Sequence, residues 1–304
     1  MNRYRELQVA QVDVFTDVRY EGNPAAVVLG ADRMSAETMT KIAREMNVRE
    51  TVFVSKSRVG DFRLRYMTPK GEIEFSGHPT IAAFNVLVEE GLVEVVSEVT
   101  LFNLETSSGL LPVEIVKNVA TGVHEVQITH KQPEFLASYD PKDYAKALGL
   151  SLADIMSPHP VETVSTGTPY LMIPLSTQKS LDSISPDWQS LVELCEKGNF
   201  VGLCVFTRDV REPTSDAQAR VFIPALGVPE DPVSGAPAGC LGSYMIRHGL
   251  MAPTYPVTSI VIEQGHYMER PGKVFVEVKG DTEGIEQVKV SGVGVTVMKG
   301  TLYV

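Results

Sequence analysis

The chain has 304 residues, 43% of them hydrophobic and 21% charged, a composition typical of a well-packed globular protein. Its net charge of −11 argues against nucleic acid or an anionic membrane as the main partner. A small anionic substrate remains compatible with that charge, because one site can be locally positive. No charged-then-apolar leader opens the sequence, and no apolar run approaches the roughly 20 residues that a membrane span needs. We therefore expect a cytoplasmic protein.

The three cysteines, Cys195, Cys204 and Cys240, are an odd number and have no CxxC spacing. This pattern does not indicate a disulfide framework or a zinc site, so we expect three small buried hydrophobic residues. The histidines show no metal-ligand spacing either. We therefore predict no metal.

The first half begins with strand-like sequence that includes GNPAAVVL at 22–29. An amphipathic helix follows, because apolar residues recur there at i, i+3, i+4 and i+7. An extended segment, FRLRYMTP, then leads into the turn SGHP and a second, apolar helix. Three strands end this half: VTLFNLE, LLPVEIVKN and HEVQITH. The apolar positions of the first helix are Met39, Ile42, Ala43 and Met46.

The turn SGHP raises a specific question about the start of the second helix. Pro79 suits a first helical turn, but Gly77 and His78 are poor at covering the free amide donors there. One interpretation is that a substrate anion completes this helix start. The alternative is a common glycine-rich turn whose donors bind Ser76, or Ser234 in the second half, or water.

The segment 138–155 joins the halves, and Asp140 and Pro141 predict a short helix within it. The second half then repeats the pattern of helix, strands, helix and strands. Its late strands are VTSIVIEQ, KVFVEVKG and QVKVSGVGVTV. The glycines of the last run lack the third glycine and the following helix of a dinucleotide site. The apolar positions of its first helix are Trp188, Leu191, Val192 and Cys195.

Matched segments indicate that the chain is an internal duplication. SGHPTIAAFNVLVEEGL at 76–92 and SGAPAGCLGSYMIRHGL at 234–250 share their first and last motifs at the same spacing. Other matched segments lie in the same order at similar offsets, which chance rarely produces. We predict one domain at 1–131 and a second at 132–297, with a C-terminal strand at 298–304 that packs back onto the first.

The second helix of each half is apolar or small on nearly every side, which is typical of a buried helix. A sheet curled around one central helix, formed twice, would bury both helices. We therefore predict the α+β class with two pseudo-symmetric domains, not a doubly wound parallel sheet.

Two such domains predict a small-molecule site in the cleft between them. The helix-start amides at Ser76, Gly77, Ser234, Gly235 and Ala236 would hold a substrate carboxylate or a developing negative charge.

Three catalytic candidates lie where the sequences of the two halves differ: Glu50, His78 and Asp231. A carboxylate, an imidazole and a second carboxylate at one cleft could form an acid/base set. Each of them singly is also an ordinary solvated or turn residue. The matched Arg65 and Arg220 could contact an anion, but structural ion pairs are the expectation favoured for them.

The sequence resembles the phenazine-biosynthesis PhzF-like family, which has the diaminopimelate epimerase fold. The resemblance rests on VDVFT, GNPAAVVL, ETVFV, RYMTPKGEIEFSGHPT, EDPVSGAP and EQGHYMERPG, and it runs from about residue 10 to the C-terminus. It implies two pseudo-symmetric domains, each a sheet curled around a helix, with the active site between them. It also implies a homodimer without metal or organic cofactor.

By this resemblance Glu50 matches the family's acid/base glutamate, His78 its Gly-His histidine and Asp231 its Asp-Pro aspartate. The implied activity is a proton-shift isomerisation of a small carboxylated metabolite, similar to that of trans-2,3-dihydro-3-hydroxyanthranilate isomerase. Family members often have Gly-Ser-Ala where this chain has Gly235-Ala236-Pro237. The missing hydroxyl puts the phenazine precursor itself in question.

Two alternatives remain at this point. The chain could be a non-catalytic small-molecule-binding protein, or an amino- or hydroxy-acid epimerase. Relatives that racemise amino acids use a cysteine at each helix start, where this chain has Ser76-Gly77 and Ser234-Gly235. Serine hydroxyls are too basic to replace thiolates, which argues against the two-cysteine mechanism.

Overall fold

The structure, a computed structural model, describes residues 5–117 and 122–304. These residues form eighteen β-strands and six α-helices. The helices are α1 (Ala36–Met46), α2 (Gly77–Glu89), α3 (Pro141–Ala147), α4 (Gln178–Asp182), α5 (Trp188–Gly198) and α6 (Gly235–Arg247). The strands are β1 (Glu6–Val14), β2 (Asn23–Leu29), β3 (Thr51–Lys56), β4 (Phe62–Thr68), β5 (Gly71–Ile73), β6 (Val99–Thr106), β7 (Gly109–Lys117), β8 (His124–Thr129), β9 (Glu134–Tyr139), β10 (Val161–Ser165), β11 (Pro169–Pro174), β12 (Gly202–Thr207), β13 (Ala217–Ile223), β14 (Val228–Asp231), β15 (Val257–Gln264), β16 (Gly272–Gly280), β17 (Ile285–Gly292) and β18 (Gly294–Tyr303).

The chain divides into two compact units. The first comprises Met1–Ile128 with Ser291–Val304, and the second is Thr129–Val290. The boundaries predicted from the sequence, 131/132 and 297/298, lie three and seven residues further along the chain than these (131 against 128, 297 against 290).

The sheet of the first unit begins with β18, which comes from the far end of the chain. It pairs antiparallel with β1 from Glu6↔Tyr303 to Val14↔Gly294. Strand β1 pairs with β2, β2 runs parallel to β3, and β3 is antiparallel to β4. Strand β4 then runs parallel to β6, which continues antiparallel into β7 and β8. The short β5 pairs with β4.

The second unit has the same strand order. Strand β9 pairs with β10, β10 with β11, β11 runs parallel to β12, and β12 is antiparallel to β13. Strand β13 runs parallel to β15, which pairs with β16, and the short β14 pairs with β13. Only the source of the first strand differs, because β9 takes the place that β18 has in the first unit. The predicted duplication and the α+β class are confirmed.

The two central helices are buried on nearly every side. In α2, nine of the thirteen residues are buried, and α6 buries nine of thirteen as well. The outer helix α1 follows the predicted amphipathic pattern instead. Helix α5 buries Leu191 and Cys195 as predicted, whereas Trp188, also predicted on its apolar face, is 39% exposed. Met39, Ile42 and Ala43 of α1 pack on the outer side of the first sheet beside Phe53 and Met67.

The segment 138–155 is more than a connection between repeats. It begins in β9, a strand that the sequence analysis did not predict, and continues into α3. Helix α3 begins as predicted, because the Asp140 carboxylate accepts the Lys142 N–H at 2.9 Å. Tyr144 and Leu148 then lie in the outer core of the second unit.

The run QVKVSGVGVTV was predicted as one strand and is two, β17 and β18. The break falls at Val293, whose carbonyl accepts the Phe15 N–H at 2.8 Å. Gly292 makes this approach possible, because a Cβ atom there would lie 2.4 Å from the Phe15 ring. The predicted strand LLPVEIVKN is β7, except that Asn118 lies outside the described residues.

All three cysteines are buried free thiols, as predicted. In the portion of the chain that the structure describes, no helix combines the length and the apolar character that crossing a membrane requires.

The packing of α6 leads to the first prediction, for Gly242→Ala. A Cβ atom at Gly242 would lie 2.8 Å from Val276 Cγ1 and 3.5 Å from Ile260 Cδ1, so the methyl group overpacks the core. We expect a loss of about 1–3 kcal/mol in the free energy of unfolding, measured by urea denaturation. Gly300→Ala is the matched control, since its nearest neighbour would be Val9 Cγ1 at 3.8 Å. Equal effects of both variants would contradict the packing described here.

A second prediction concerns His130, which packs beside α6. Its Nδ1 and the Thr166 hydroxyl share a hydrogen bond of 3.0 Å. Desolvation lowers the pKa of His130 from 6.5 to about 4. Between these values the unfolded chain binds a proton that the folded chain does not, so stability falls as pH drops from about 6.5 towards 4. At pH 5 the cost is about 2 kcal/mol.

Urea denaturation of wild type and His130→Gln at pH 7 and pH 5 measures this contribution. We expect the variant to lose less stability than wild type over that interval, because glutamine does not titrate. An identical pH dependence for the two proteins would show that His130 is not held in its neutral form.

Candidate functional site

Glu50 lies immediately before β3, and its side chain is turned inward. Only 6% of the residue is exposed, although a carboxylate is costly to bury. Its main-chain carbonyl accepts the Ala26 N–H at 3.2 Å, which ties this residue to the neighbouring strand. Glu50 Oε2 lies 3.7 Å from His78 Nδ1, and Oε1 lies 3.7 Å from Arg49 Nε. The carboxylate therefore has a potential cation on each side.

Two of the predicted catalytic residues, Glu50 and His78, are thus brought together within the first unit. His78 is the second residue of α2 and is 7% exposed. The separation of 3.7 Å is longer than a hydrogen bond. It leaves the carboxylate oxygen unconstrained, and Glu50 Oε2 has no hydrogen-bond partner within the described part of the chain. The arrangement is a buried carboxylate with an imidazole beside it, a pair of groups that acid/base chemistry can use.

The starts of α2 and α6 differ from the other helix starts. At α1, α3, α4 and α5 the residue before the helix caps it, because its side-chain oxygen accepts an N–H of the first turn. The capping residues are Ser35, Asp140, Thr177 and Asp187 respectively. At α2 and α6 the preceding Ser76 and Ser234 make no such bond. Ser76 and Ser234 therefore do not cap their own helices, which partly answers why the first-turn amide donors of α2 and α6 are left uncovered. Both helix starts offer amide donors and a positive dipole end.

Gly77 leaves the start of α2 open to small groups. A Cβ atom there would have only Ile128 Cδ1 within 4 Å, at 3.9 Å. The missing side chain is therefore not demanded by tight packing. What it provides is access to the backbone amides from outside the helix.

The hydroxyl groups of Thr80 and Tyr66 hold the turn at the start of α2 through hydrogen bonds. The Thr80 hydroxyl donates to the Ser76 carbonyl at 2.7 Å and lies 2.8 Å from the Tyr66 hydroxyl. Because the Thr80 proton is used on Ser76, the Tyr66 hydroxyl is the donor to Thr80. Burial raises the pKa of Tyr66, and the nearby Glu50 charge raises it further. Tyr66 is therefore a neutral group close to Glu50.

In the second unit, Asp231 is the last residue of β14 and is 4% exposed. The Ser234 hydroxyl donates a short hydrogen bond to Asp231 Oδ2. Instead of capping α6, the serine is therefore used to hold the aspartate. Gly235 and Ala236 follow as the first, half-buried residues of the helix.

Gln264 holds this turn together and was not among the predicted site residues. Its Oε1 accepts the Ser234 N–H at 3.2 Å, and its Nε2 donates to the Asp231 carbonyl at 2.7 Å. The residue is 1% exposed at the end of β15. The only sequence signal for it is its place in the family-like segment EQGHYMERPG, which carries no information about contacts.

Gly265, directly after Gln264, has a left-handed backbone with φ +90°. A Cβ atom there would lie 2.1 Å from the Arg270 carbonyl oxygen and 2.9 Å from that of Pro232. A glycine is therefore required for β15 to end against the Asp231–Pro232 segment.

The matched arginines take the structural role that was favoured for them. Arg65 forms a two-bond ion pair with Glu72, at 2.7 and 2.6 Å. Arg220 forms the same kind of pair with Glu230, at 3.0 and 2.8 Å. Each joins two neighbouring strands of its own unit. In both pairs the carboxylate occupies the Nε/Nη2 edge of the guanidinium, an edge that would otherwise be open to an anion.

Cys240 is fully buried in α6, and burial raises the pKa of its thiol to about 11. A thiol with this pKa is not a thiolate base near neutral pH. This supports the argument against a cysteine-based mechanism. Among the described residues, no group of three or more His, Cys, Asp or Glu is placed to hold a metal ion.

Gln264 gives the third prediction. Gln264→Met keeps the length of the side chain but leaves the Ser234 N–H without its buried acceptor, which costs about 1–3 kcal/mol. Urea denaturation measures this loss. Gln189→Met is the control, because Gln189 makes only a 3.3 Å bond to Glu193 on an exposed helix face. A Gln264 variant as stable as the control variant would remove Gln264 from the support of this turn.

Comparison with known proteins supports the family resemblance. The model of the phenazine biosynthesis-like protein family, PhzC-PhzF, matches residues 12–300. An uncharacterised isomerase of Clostridium acetobutylicum is 33% identical, with 98% of each chain covered. The trans-2,3-dihydro-3-hydroxyanthranilate isomerase of Pseudomonas fluorescens is 32% identical, with 96% of this chain and 97% of that protein covered.

Solved structures agree with the fold. The PhzF-family phenazine biosynthesis protein of Bacillus anthracis superimposes with a TM-score of 0.88 at 28% identity, covering 99% of this chain and 100% of that one. A hydroxyproline epimerase of Agrobacterium vitis shares the fold with a TM-score of 0.61 at 13% identity, covering 100% and 93% of the two chains. By sequence and by structure, this chain belongs to the phenazine biosynthesis-like PhzC-PhzF family.

Proposed function

We propose that this protein is an isomerase that moves a proton between two carbons of a small carboxylated metabolite, with Glu50 as the acid/base group. The observation that carries the proposal is the buried Glu50 carboxylate, with one oxygen unbonded within the described chain and His78 3.7 Å away. Relatives named as isomerases support it, among them a trans-2,3-dihydro-3-hydroxyanthranilate isomerase at 32% identity.

In the proposed reaction, the Glu50 carboxylate takes a proton from one carbon of the substrate. The electron pair left behind delocalises towards the substrate's unsaturated or carboxylate group, which gains negative charge. Protonated Glu50 then returns the proton to a different carbon, so that the product is an isomer and no co-reactant is consumed. The enzyme ends in its starting state.

The helix-start amides have a separate role in this proposal. Amide donors at Ser76 and Gly77, and at Gly235 and Ala236, stabilise the substrate carboxylate and the charge that develops in the transition state. The predicted Ser234 amide is not among them, because its N–H donates to Gln264. His78 polarises the substrate next to Glu50. Asp231, fixed by Ser234, orients the substrate through its carboxylate. The proposal needs no metal or organic cofactor.

Ala236 bears on the identity of the substrate. Its methyl group cannot donate or accept a hydrogen bond, whereas a serine hydroxyl at this position could. A substrate with one fewer polar group on that side would fit better than one that needs the hydroxyl. We therefore propose a small carboxylate related to dihydro-3-hydroxyanthranilate, and we use that compound as the first probe. The homodimer and the cytoplasmic location remain predictions.

The fourth prediction tests Glu50 directly. Glu50→Gln keeps the shape of the side chain but removes the base, so turnover should fall by about 10²–10⁴-fold. Proton NMR in heavy water, with trans-2,3-dihydro-3-hydroxyanthranilate as substrate, follows both conversion and deuterium incorporation. Glu45→Gln on the exposed side of α1 is the matched control and should retain full activity.

The outcomes separate the competing functions. Conversion by wild type and Glu45→Gln, but not by Glu50→Gln, would support the base assignment. Equal conversion by all three would remove Glu50 from the reaction. Binding without conversion or deuterium incorporation would favour a binding protein over an enzyme for this compound.

A further inference from the structure

A cavity of about 410 Å³ lies in the second unit, at the C-terminal end of α6. Its walls include Arg247 at the end of the helix, Phe135 of β9 and the turn between β16 and β17. The thirteen residues of α6 span about 20 Å, so the cavity is a helix length away from the Ser234 turn. It is therefore separate from the Asp231–Ser234–Gln264 cluster.

Arg247 carries an uncompensated positive charge at this cavity. Its guanidinium lies 4.7 Å from the centre of the Phe135 ring, and it makes no ion pair or hydrogen bond with any residue that the structure describes. A guanidinium placed over a ring can still present its N–H edges to a carboxylate.

Asp281 supplies the opposite charge on the cavity wall. Its Oδ1 accepts the N–H groups of Glu283, at 2.7 Å, and Gly284, at 3.3 Å, which fixes the carboxylate in the hairpin turn. Its Oδ2 has no such bond to the described residues, and Asp281 and Arg247 form no ion pair with each other. The cavity thus holds one unpaired cation and one carboxylate oxygen, each held in place by its own element.

The remaining walls mix polar residues, such as Gln132 and Thr258, with apolar side chains and aromatic rings. Phe135, Ile246 and Val278 line the cavity, and Tyr255 stands at it with half of its surface exposed. A volume of this size is within the range of small-molecule sites. Burying an apolar group here would remove both its own surface and that of Tyr255 from water.

We propose that this cavity binds a free α-amino acid with an apolar or aromatic side chain. The ligand carboxylate pairs with Arg247, its ammonium group pairs with Asp281, and its side chain packs on Phe135 and Tyr255. A ligand with a carboxylate but no ammonium group would leave Asp281 without a partner. A ligand with an ammonium group but no carboxylate would leave Arg247 without one. The two opposite charges are what select a zwitterion. This site is independent of the proposed reaction at Glu50.

The test measures the binding of L-phenylalanine to the whole chain by ligand-observed NMR. 3-Phenylpropionate, which lacks the ammonium group, and phenethylamine, which lacks the carboxylate, are the comparison ligands. We expect each to bind at least about tenfold more weakly than L-phenylalanine. Arg247→Met and Asp281→Asn should each weaken L-phenylalanine binding by a similar factor. Asparagine keeps the Oδ1 that accepts the turn N–H groups, so the hairpin should remain intact.

The controls separate this proposal from the proposed function. Arg58→Met removes an exposed arginine from the other unit and should leave binding unchanged, as should Glu50→Gln. Absence of saturable binding at millimolar L-phenylalanine, or equal binding by wild type and Arg247→Met, would overturn the proposal. Equal binding of L-phenylalanine and 3-phenylpropionate would overturn the zwitterion assignment. Loss of binding in Glu50→Gln would place the ligand at the Glu50 site instead.

Discussion

The structure depends on two helices that have almost no polar side. Nine of the thirteen residues of α2 and of α6 are buried, so neither helix could lie on the surface of a sheet. Each needs strands around most of its circumference. The outer helices α1 and α5, with one apolar stripe each, then cover the other side of the sheet. Burial of these central helices thus accounts for both the curled sheets and the layered outer cores.

The same constraint explains why the candidate site lies at the helix starts. A helix buried along its length can meet solvent or a ligand only at its ends, and α2 and α6 begin without a side-chain cap. In the first unit the turn is held by the Tyr66–Thr80–Ser76 hydroxyl chain, and in the second by Gln264. Both solutions fix the backbone while leaving its amide donors uncovered by Ser76 or Ser234.

Much of this arrangement could be predicted from the sequence, because it is expressed in periodicity and repetition. The repeat, the buried helices and the outer amphipathic helices are properties of local segments. Strand β9 was missed, since its residues are mostly exposed and its role appears only through pairing with β10. Gln264 was missed for a related reason: its two hydrogen bonds reach Asp231 and Ser234, about 30 residues earlier, and no spacing rule links them. Asymmetry between the halves led to Glu50 and His78 as candidates, and the structure has these two side chains close together.

The pairing of β18 with β1 has a consequence for how the protein is made. The first unit includes residues 291–304, which follow the whole of the second unit in the chain, so a ribosome must synthesise the second unit before that sheet can be completed. The second unit, Thr129–Val290, is continuous and is released earlier in full. Until then one edge of β1 presents unpaired backbone groups, which are a site for mispairing between nascent chains. The sheet of the first unit is therefore completed only after the second unit has been synthesised, although its first strand is made earlier.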